Sequence, residues 1–150
     1  MRIKTPFLVM LLGILVLAGC QRGPTSAAGF RLPDGDPEAG RAAFVDLQCY
    51  NCHTVTNETF PRRNNLDELN VVLGGESTYV TTYGELVTSI INPSHKLAKG
   101  YDPETIATDG QSKMRIYNDV MTVQQLTDLV VFLQPHYKVV VPEYVYRRYP

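Results

Sequence analysis

Residues 49–53 read Cys-Tyr-Asn-Cys-His, and this C-x-x-C-H motif carries more chemical information than any other part of the chain. The thiols of Cys49 and Cys52, close together on one turn, can add to the two vinyl groups of a single haem. The imidazole of His53 follows directly and can bind the haem iron at one axial position. Since C-x-x-C-H is the attachment motif of c-type haem, the sequence predicts one covalent haem c held by these three residues.

Two other chemistries use a C-x-x-C pair, namely a structural zinc site and a redox-active dithiol. A structural zinc site needs four ligands, and the spare candidates Cys20, His95 and His136 do not form a second closely spaced pair. A dithiol of the thioredoxin type belongs in a βαβ pattern, which we do not find in the sequence. We therefore favour haem attachment over both alternatives.

The N-terminus has the pattern of a secretory signal. Arg2 and Lys4 give it a basic start, and residues 7–18 form an apolar core. That core is about twelve residues long, whereas a membrane-spanning helix needs about twenty. We therefore expect residues 1–19 to be a signal peptide rather than a membrane span.

The end of this segment, Leu-Ala-Gly-Cys at residues 17–20, looks like a bacterial lipobox. In a lipobox the cysteine, here Cys20, becomes the lipidated first residue of the mature chain, and its acyl chains hold the protein on a membrane. An ordinary signal peptide with a chance cysteine is the alternative. One cysteine for lipid and two for haem account for all three cysteines of the chain. The expected location is the periplasm or the outer face of the cytoplasmic membrane.

Composition divides the exported part into three segments. Residues 20–35 are rich in Gly, Pro and Ser and read as a lipidated tether. Residues 36–135 form the predicted haem domain. Residues 136–150 are β-prone and aromatic, and this tail either packs on its own domain or docks a partner. The formal net charge of −1 and the lack of a basic run give no support to nucleic-acid binding.

Three amphipathic helices are indicated by capping residues followed by apolar stripes. Asp36 can cap the first helix, which leads directly into the haem motif. Thr82 and Thr122 each begin a capping-box pattern. The second and third helices are expected to stop at Pro93 and Pro135.

Loops are expected between these helices. Residues 54–80 are polar and rich in Asn and Gly, which disfavours long regular elements. The apolar residues near the end of that stretch could anchor it or form one short helix. Residues 94–121 are expected to be mostly loop.

These features resemble the class I monohaem cytochromes c over about residues 36–134. In that family the first and last helices cross near a glycine and an aromatic contact, and Gly40 and Phe44 against Leu129 and Phe132 match this pattern. The resemblance implies an all-α, small cytochrome c fold. It would have three or more helices around one covalently attached haem, followed by an irregular aromatic C-terminal tail.

The resemblance also implies a methionine as the second axial ligand, because the family holds its iron between His and Met. Met114 is the first candidate, since residues 114–117 resemble the family's Met-Pro-x-aromatic segment with Arg115 in place of the proline. Met121 is the fallback, and His95 is a third candidate. A thioether favours ferrous iron and raises the reduction potential relative to a second imidazole.

Further contacts to the haem are expected from neighbouring residues. In the family a proline carbonyl orients the histidine ring, and Pro61 is the nearest position that could do so. Tyr101 and Tyr117 could reach the haem propionates, although ordinary packing would explain them as well.

The function expected from these features is electron transfer rather than enzymatic catalysis. Its partners would be redox proteins, or subunits of a membrane respiratory complex. A haem-based ligand sensor or small haem enzyme with an open distal site is the alternative, and it requires that Met114 does not bind the iron.

Overall fold

The computed structural model describes residues 30–61 and 69–140, and the rest of the chain lies outside the described residues. The predicted signal peptide, the predicted lipidation site Cys20 and the tail beyond residue 140 belong to that remainder. The chain divides into two units after Leu32, and the first unit contributes only its last three residues to the description. All the helices and strands given below belong to the second unit.

Four α-helices are present in the described residues. They are α1 (Pro37–Asp46), α2 (Tyr83–Ile91), α3 (Pro103–Ile106) and α4 (Val123–Leu133). None of the helices among the described residues has the length and apolar character needed to cross a membrane.

Local capping chemistry determines where the three longer helices begin. The Asp36 carboxylate accepts hydrogen bonds from the first free N–H groups of α1, and Thr82 and Thr122 form complete capping boxes at α2 and α4. Side chains of this kind satisfy N–H groups that have no partner within the helix. The three predicted helix starts are confirmed.

Six short strands accompany the helices and pair into three two-stranded sheets. They are β1 (His53–Val55), β2 (Val71–Leu73), β3 (Gly75–Ser77), β4 (Ala107–Thr108), β5 (Gln111–Ser112) and β6 (Tyr137–Val139). Strand β1 pairs with β2 and β3 pairs with β6, both in parallel, and β4 and β5 form an antiparallel pair.

These sheets overturn the predicted fold class. The structure is mixed α and β, so the prediction of an all-α, small cytochrome c fold is wrong. The prediction of an irregular C-terminal tail is also wrong where the tail is described, because residues 137–139 form β6. Strands of two or three residues are too short to show an alternating pattern in the sequence, and parallel pairing joins segments that are far apart along the chain.

The first and last helices cross at very close range. A Cβ atom on Gly40 would overlap the backbone of Asp128 and would lie 2.7 Å from the Phe132 Cβ. The rings of Phe44 and Phe132 lie beside this point, 6.0 Å apart between centroids. The predicted contact of Gly40 and Phe44 with the last helix is confirmed, and Phe60 joins it with its ring centroid 4.7 Å from that of Phe44.

Candidate functional site

A cavity of about 810 Å³ lies beside the end of α1, within the size range of about 300–1,000 Å³ typical of ligand sites. Its walls include the motif residues together with methionine, tyrosine and aliphatic side chains from several elements. The predicted site residues that line it are Cys49, Cys52, His53, His95, Tyr101, Met114, Tyr117 and Met121. Among the described residues, the haem motif and every candidate for the second axial ligand therefore line one cavity.

The two cysteines lie on a single tight turn. Helix α1 ends at Asp46, and Gln48 then adopts a left-handed conformation with φ of 58°. Residues Cys49–Asn51 form one turn of 3-10 helix, and the Cys52 N–H donates a 3.1 Å hydrogen bond to the Cys49 carbonyl. This turn places both thiols on the cavity wall, and both are free cysteines.

The Cys49 thiol is not activated as a nucleophile. Burial raises its pKa to about 11, with a smaller opposing effect from a backbone hydrogen bond. Redox-active dithiols have the opposite property, because their reactive cysteine carries a lowered pKa. The environment of Cys49 therefore argues against a thioredoxin-like dithiol.

The His53 imidazole is held in an orientation suited to a metal ligand. Its Nδ1 lies 3.1 Å from the Val71 carbonyl oxygen, an acceptor, so Nδ1 carries the proton and Nε2 keeps its lone pair. Burial lowers the pKa of His53, partly opposed by the hydrogen bond to Val71. The neutral imidazole that results is the form that binds metals.

Strand pairing supplies the carbonyl that orients this ring. His53 and Val71 are direct partners in the β1–β2 register, and the Val71 N–H donates a 2.9 Å hydrogen bond to the Cys52 carbonyl. The expected acceptor, Pro61, is therefore wrong. The sequence signal that could have indicated Val71 is the Val-Val-Leu run at residues 71–73, which has strong strand propensity.

The three candidates for the second axial ligand all line the cavity, so the choice among them stays a prediction. Met114 follows β5 and is half-buried, and its N–H donates a 3.2 Å hydrogen bond to the Ser112 hydroxyl. Met121 is half-buried as well, whereas His95 is exposed. The His95 Nδ1 lies 2.8 Å from the Asn92 carbonyl oxygen.

Tyr101 and Tyr117, the two tyrosines expected to contact the haem, also line the cavity. The Tyr101 hydroxyl accepts a 2.8 Å hydrogen bond from the Val72 N–H. Burial raises the pKa of Tyr117, so its hydroxyl stays protonated at neutral pH. Among the described residues, no three His, Cys, Asp and Glu side chains are grouped closely enough to hold a metal ion.

Comparison of the chain with family models, curated proteins and solved structures finds no match. The chemistry of the cavity residues nevertheless fits a haem c. Cys49 and Cys52 offer two thiols on one turn, His53 offers an oriented neutral imidazole, and Met114 offers a thioether. These are the donor types that c-type haem attachment and axial ligation require.

Proposed function

We propose that this protein is an electron-transfer protein that carries one covalently attached haem c and is tethered to a membrane. The observation that carries the proposal is the His53 ring. Its Nδ1 is fixed on the Val71 carbonyl, and the residue lines the same cavity as two thiols and two thioethers. A purely structural role for His53 would not explain why Cys49 and Cys52 precede it in the C-x-x-C-H spacing.

Each residue has a defined role in this proposal. Cys49 and Cys52 would hold the haem through two thioether bonds, which would prevent its loss. His53 would bind the haem iron through Nε2, and Met114 would bind it through its thioether, with Met121 as the fallback. When bound, the haem supplies a one-electron ferric and ferrous couple, whose potential a Met ligand raises.

Ligation from both sides explains why we propose a carrier rather than an enzyme. Two protein ligands would leave no coordination position for a substrate, so the chain would have to provide a reduction potential, an exposed path for the electron and a docking surface. Val72, Tyr79 and Val80 line the cavity and are also exposed to solvent, with exposed fractions of 51%, 74% and 64%. Their exposure supports approach of a partner at this side of the cavity.

The anchor and the partners follow from the N-terminal sequence. A lipid on Cys20 would hold the protein at the periplasmic side of a membrane, with residues 21–35 as a tether. Redox proteins or subunits of a respiratory complex in the same membrane would then be the donors and acceptors of electrons.

A redox titration of the purified full chain tests this function. The expected result is a low-spin c-type spectrum that converts reversibly between two forms in a one-electron step, with little change on addition of carbon monoxide. A high-spin spectrum with avid carbon monoxide binding would contradict the carrier function. It would favour the sensor or small enzyme with an open distal site.

A further inference from the structure

The peptide group between Val71 and Val72 is hydrogen-bonded on both sides by side chains of the cavity. Its carbonyl oxygen lies 3.1 Å from the His53 Nδ1, and its N–H donates a 2.8 Å hydrogen bond to the Tyr101 hydroxyl. The two contacts therefore form one chain of hydrogen bonds that runs from the imidazole through a single peptide unit to the phenol.

We propose that Tyr101 is a positioning residue that strengthens the hydrogen bond between Val71 and His53 and thereby tunes the axial ligand. The inference rests on the proposed function, because the ligand has a role only if His53 binds haem iron. A donor N–H that is itself engaged polarises its peptide group, and the carbonyl at the other end becomes a better acceptor. A firmer Nδ1–H bond in turn raises the basicity of the ligating nitrogen.

The place of Tyr101 in the chain suits this role. It directly precedes Asp102, whose carboxylate caps α3 by accepting a 3.0 Å hydrogen bond from the Glu104 N–H. The backbone beside Tyr101 is thus attached to a regular element. The tyrosine hydroxyl joins this segment to β2, a strand that is otherwise paired on the side of β1.

Solvent access to β2 limits the size of the effect. Val72 is 51% exposed and its hydrogen bond to the Tyr101 hydroxyl is itself exposed, so its N–H would bind water if that hydroxyl were removed. Water is a mobile replacement for a fixed phenol oxygen. Loss of the Tyr101 hydroxyl would therefore weaken the hydrogen bond between Val71 and His53 and widen the range of His53 ring orientations, without detaching the haem.

The variant Tyr101→Phe tests the inference in the haem-loaded full chain, with Tyr83→Phe as the matched control. Tyr83 begins α2 and does not line the cavity, so it loses the same hydroxyl away from the site. In the diamagnetic ferrous protein, the His53 Nδ1–H proton resonance is expected to move upfield in Tyr101→Phe, as a weaker hydrogen bond requires. It is expected to stay unchanged in Tyr83→Phe.

The reduction potential provides a second measurement. A less basic ligand stabilises ferric iron less, so the ferrous-to-ferric ratio at a fixed solution potential is expected to rise about twofold in Tyr101→Phe. If Tyr101→Phe does not accumulate, difluorotyrosine at position 101, measured at a pH low enough to keep its more acidic phenol protonated, keeps the packing but weakens the acceptor oxygen. It should then give a smaller shift in the same direction.

Three results would overturn the inference. They are a haem-loaded Tyr101→Phe protein identical to wild type in both measurements, a shift of opposite sign, and an equal shift in Tyr83→Phe. Each of these leaves the proposed function intact. A wild-type protein without covalent haem would overturn the proposed function and, with it, this inference.

Discussion

Gly40 and Asp128 meet backbone to backbone where α1 crosses α4, with no room for a Cβ atom between them. The same two helices are joined a turn away, where the Asp128 carboxylate accepts a 2.8 Å hydrogen bond from the Asp36 N–H. Phe44 of α1 and Leu129 and Leu133 of α4 line the same cavity as Cys49, which lies on the turn after α1. The helix contact and the candidate site are therefore parts of one arrangement.

The substitution Gly40→Ala tests the crossing. The added methyl group meets backbone atoms of Asp128 that cannot rotate away, so the helices have to separate and the free energy of unfolding should fall by about 3 kcal/mol or more. Gly84→Ala is the control, since a Cβ at that helical position meets nothing within 4 Å. Its stability should be unchanged or higher by up to about 1 kcal/mol, because alanine favours helix over glycine.

Denaturant unfolding of both variants measures the difference. Equal stability of Gly40→Ala and wild type would show that the two helices are not in contact at this point.

Met114→Ala and Met121→Ala together identify the second axial ligand. Both side chains line the cavity, but Met114 is the expected ligand, so only Met114→Ala should lose the band that arises from charge transfer between methionine sulfur and ferric iron. That variant should become high-spin and bind carbon monoxide. Loss of the band in Met121→Ala alone would identify Met121 as the ligand. Absence of the band from the wild-type protein would favour the sensor with an open distal site.

Glu85 links the capping box of α2 to the acid stability of the fold. The pKa of the Glu85 carboxyl lies below its ordinary value of 4.5, chiefly because the Thr82 backbone N–H donates a hydrogen bond to it. Lys96 and the Thr82 hydroxyl lower this pKa further. Because the pKa in the folded state is lower than in the unfolded state, the ionised group stabilises the fold at pH above 4.5. This contribution is lost as the pH falls from 4.5 through the folded-state value.

The variant Glu85→Gln should therefore differ from wild type most at neutral pH, and the difference should shrink in acid. Unfolding curves of both proteins between pH 7 and the acid limit of folding measure it. A difference that is constant with pH, or that grows as the pH falls, would contradict the assignment.

Features encoded by neighbouring residues could be predicted from the sequence. The starts of the three longer helices depend on Asp36, Thr82 and Thr122 and on residues within one turn of each, so local chemistry was sufficient. The Gly40 crossing was predictable from the resemblance, because a glycine and an aromatic residue stand at the positions where that family crosses its first and last helices.

The strands could not be predicted in the same way. Strand β2 exists because it pairs with β1, eighteen residues earlier along the chain, and β6 exists because it pairs with β3. Such strands acquire their hydrogen bonds only once the fold has formed. For the same reason the acceptor for His53 was placed on Pro61 from a family pattern, whereas the paired strand supplies Val71.

The most direct measurement of the central claim is a haem stain after denaturing electrophoresis, with the sequence from residue 1 expressed in a host that attaches c-type haem. The account predicts a stained band for wild type, with an intact mass greater by one haem than that of the double variant Cys49→Ser with Cys52→Ser, after correction for the two substitutions. The double variant Cys49→Ser with Cys52→Ser should give a colourless band. A wild-type band without stain or added mass would contradict covalent haem attachment at Cys49 and Cys52.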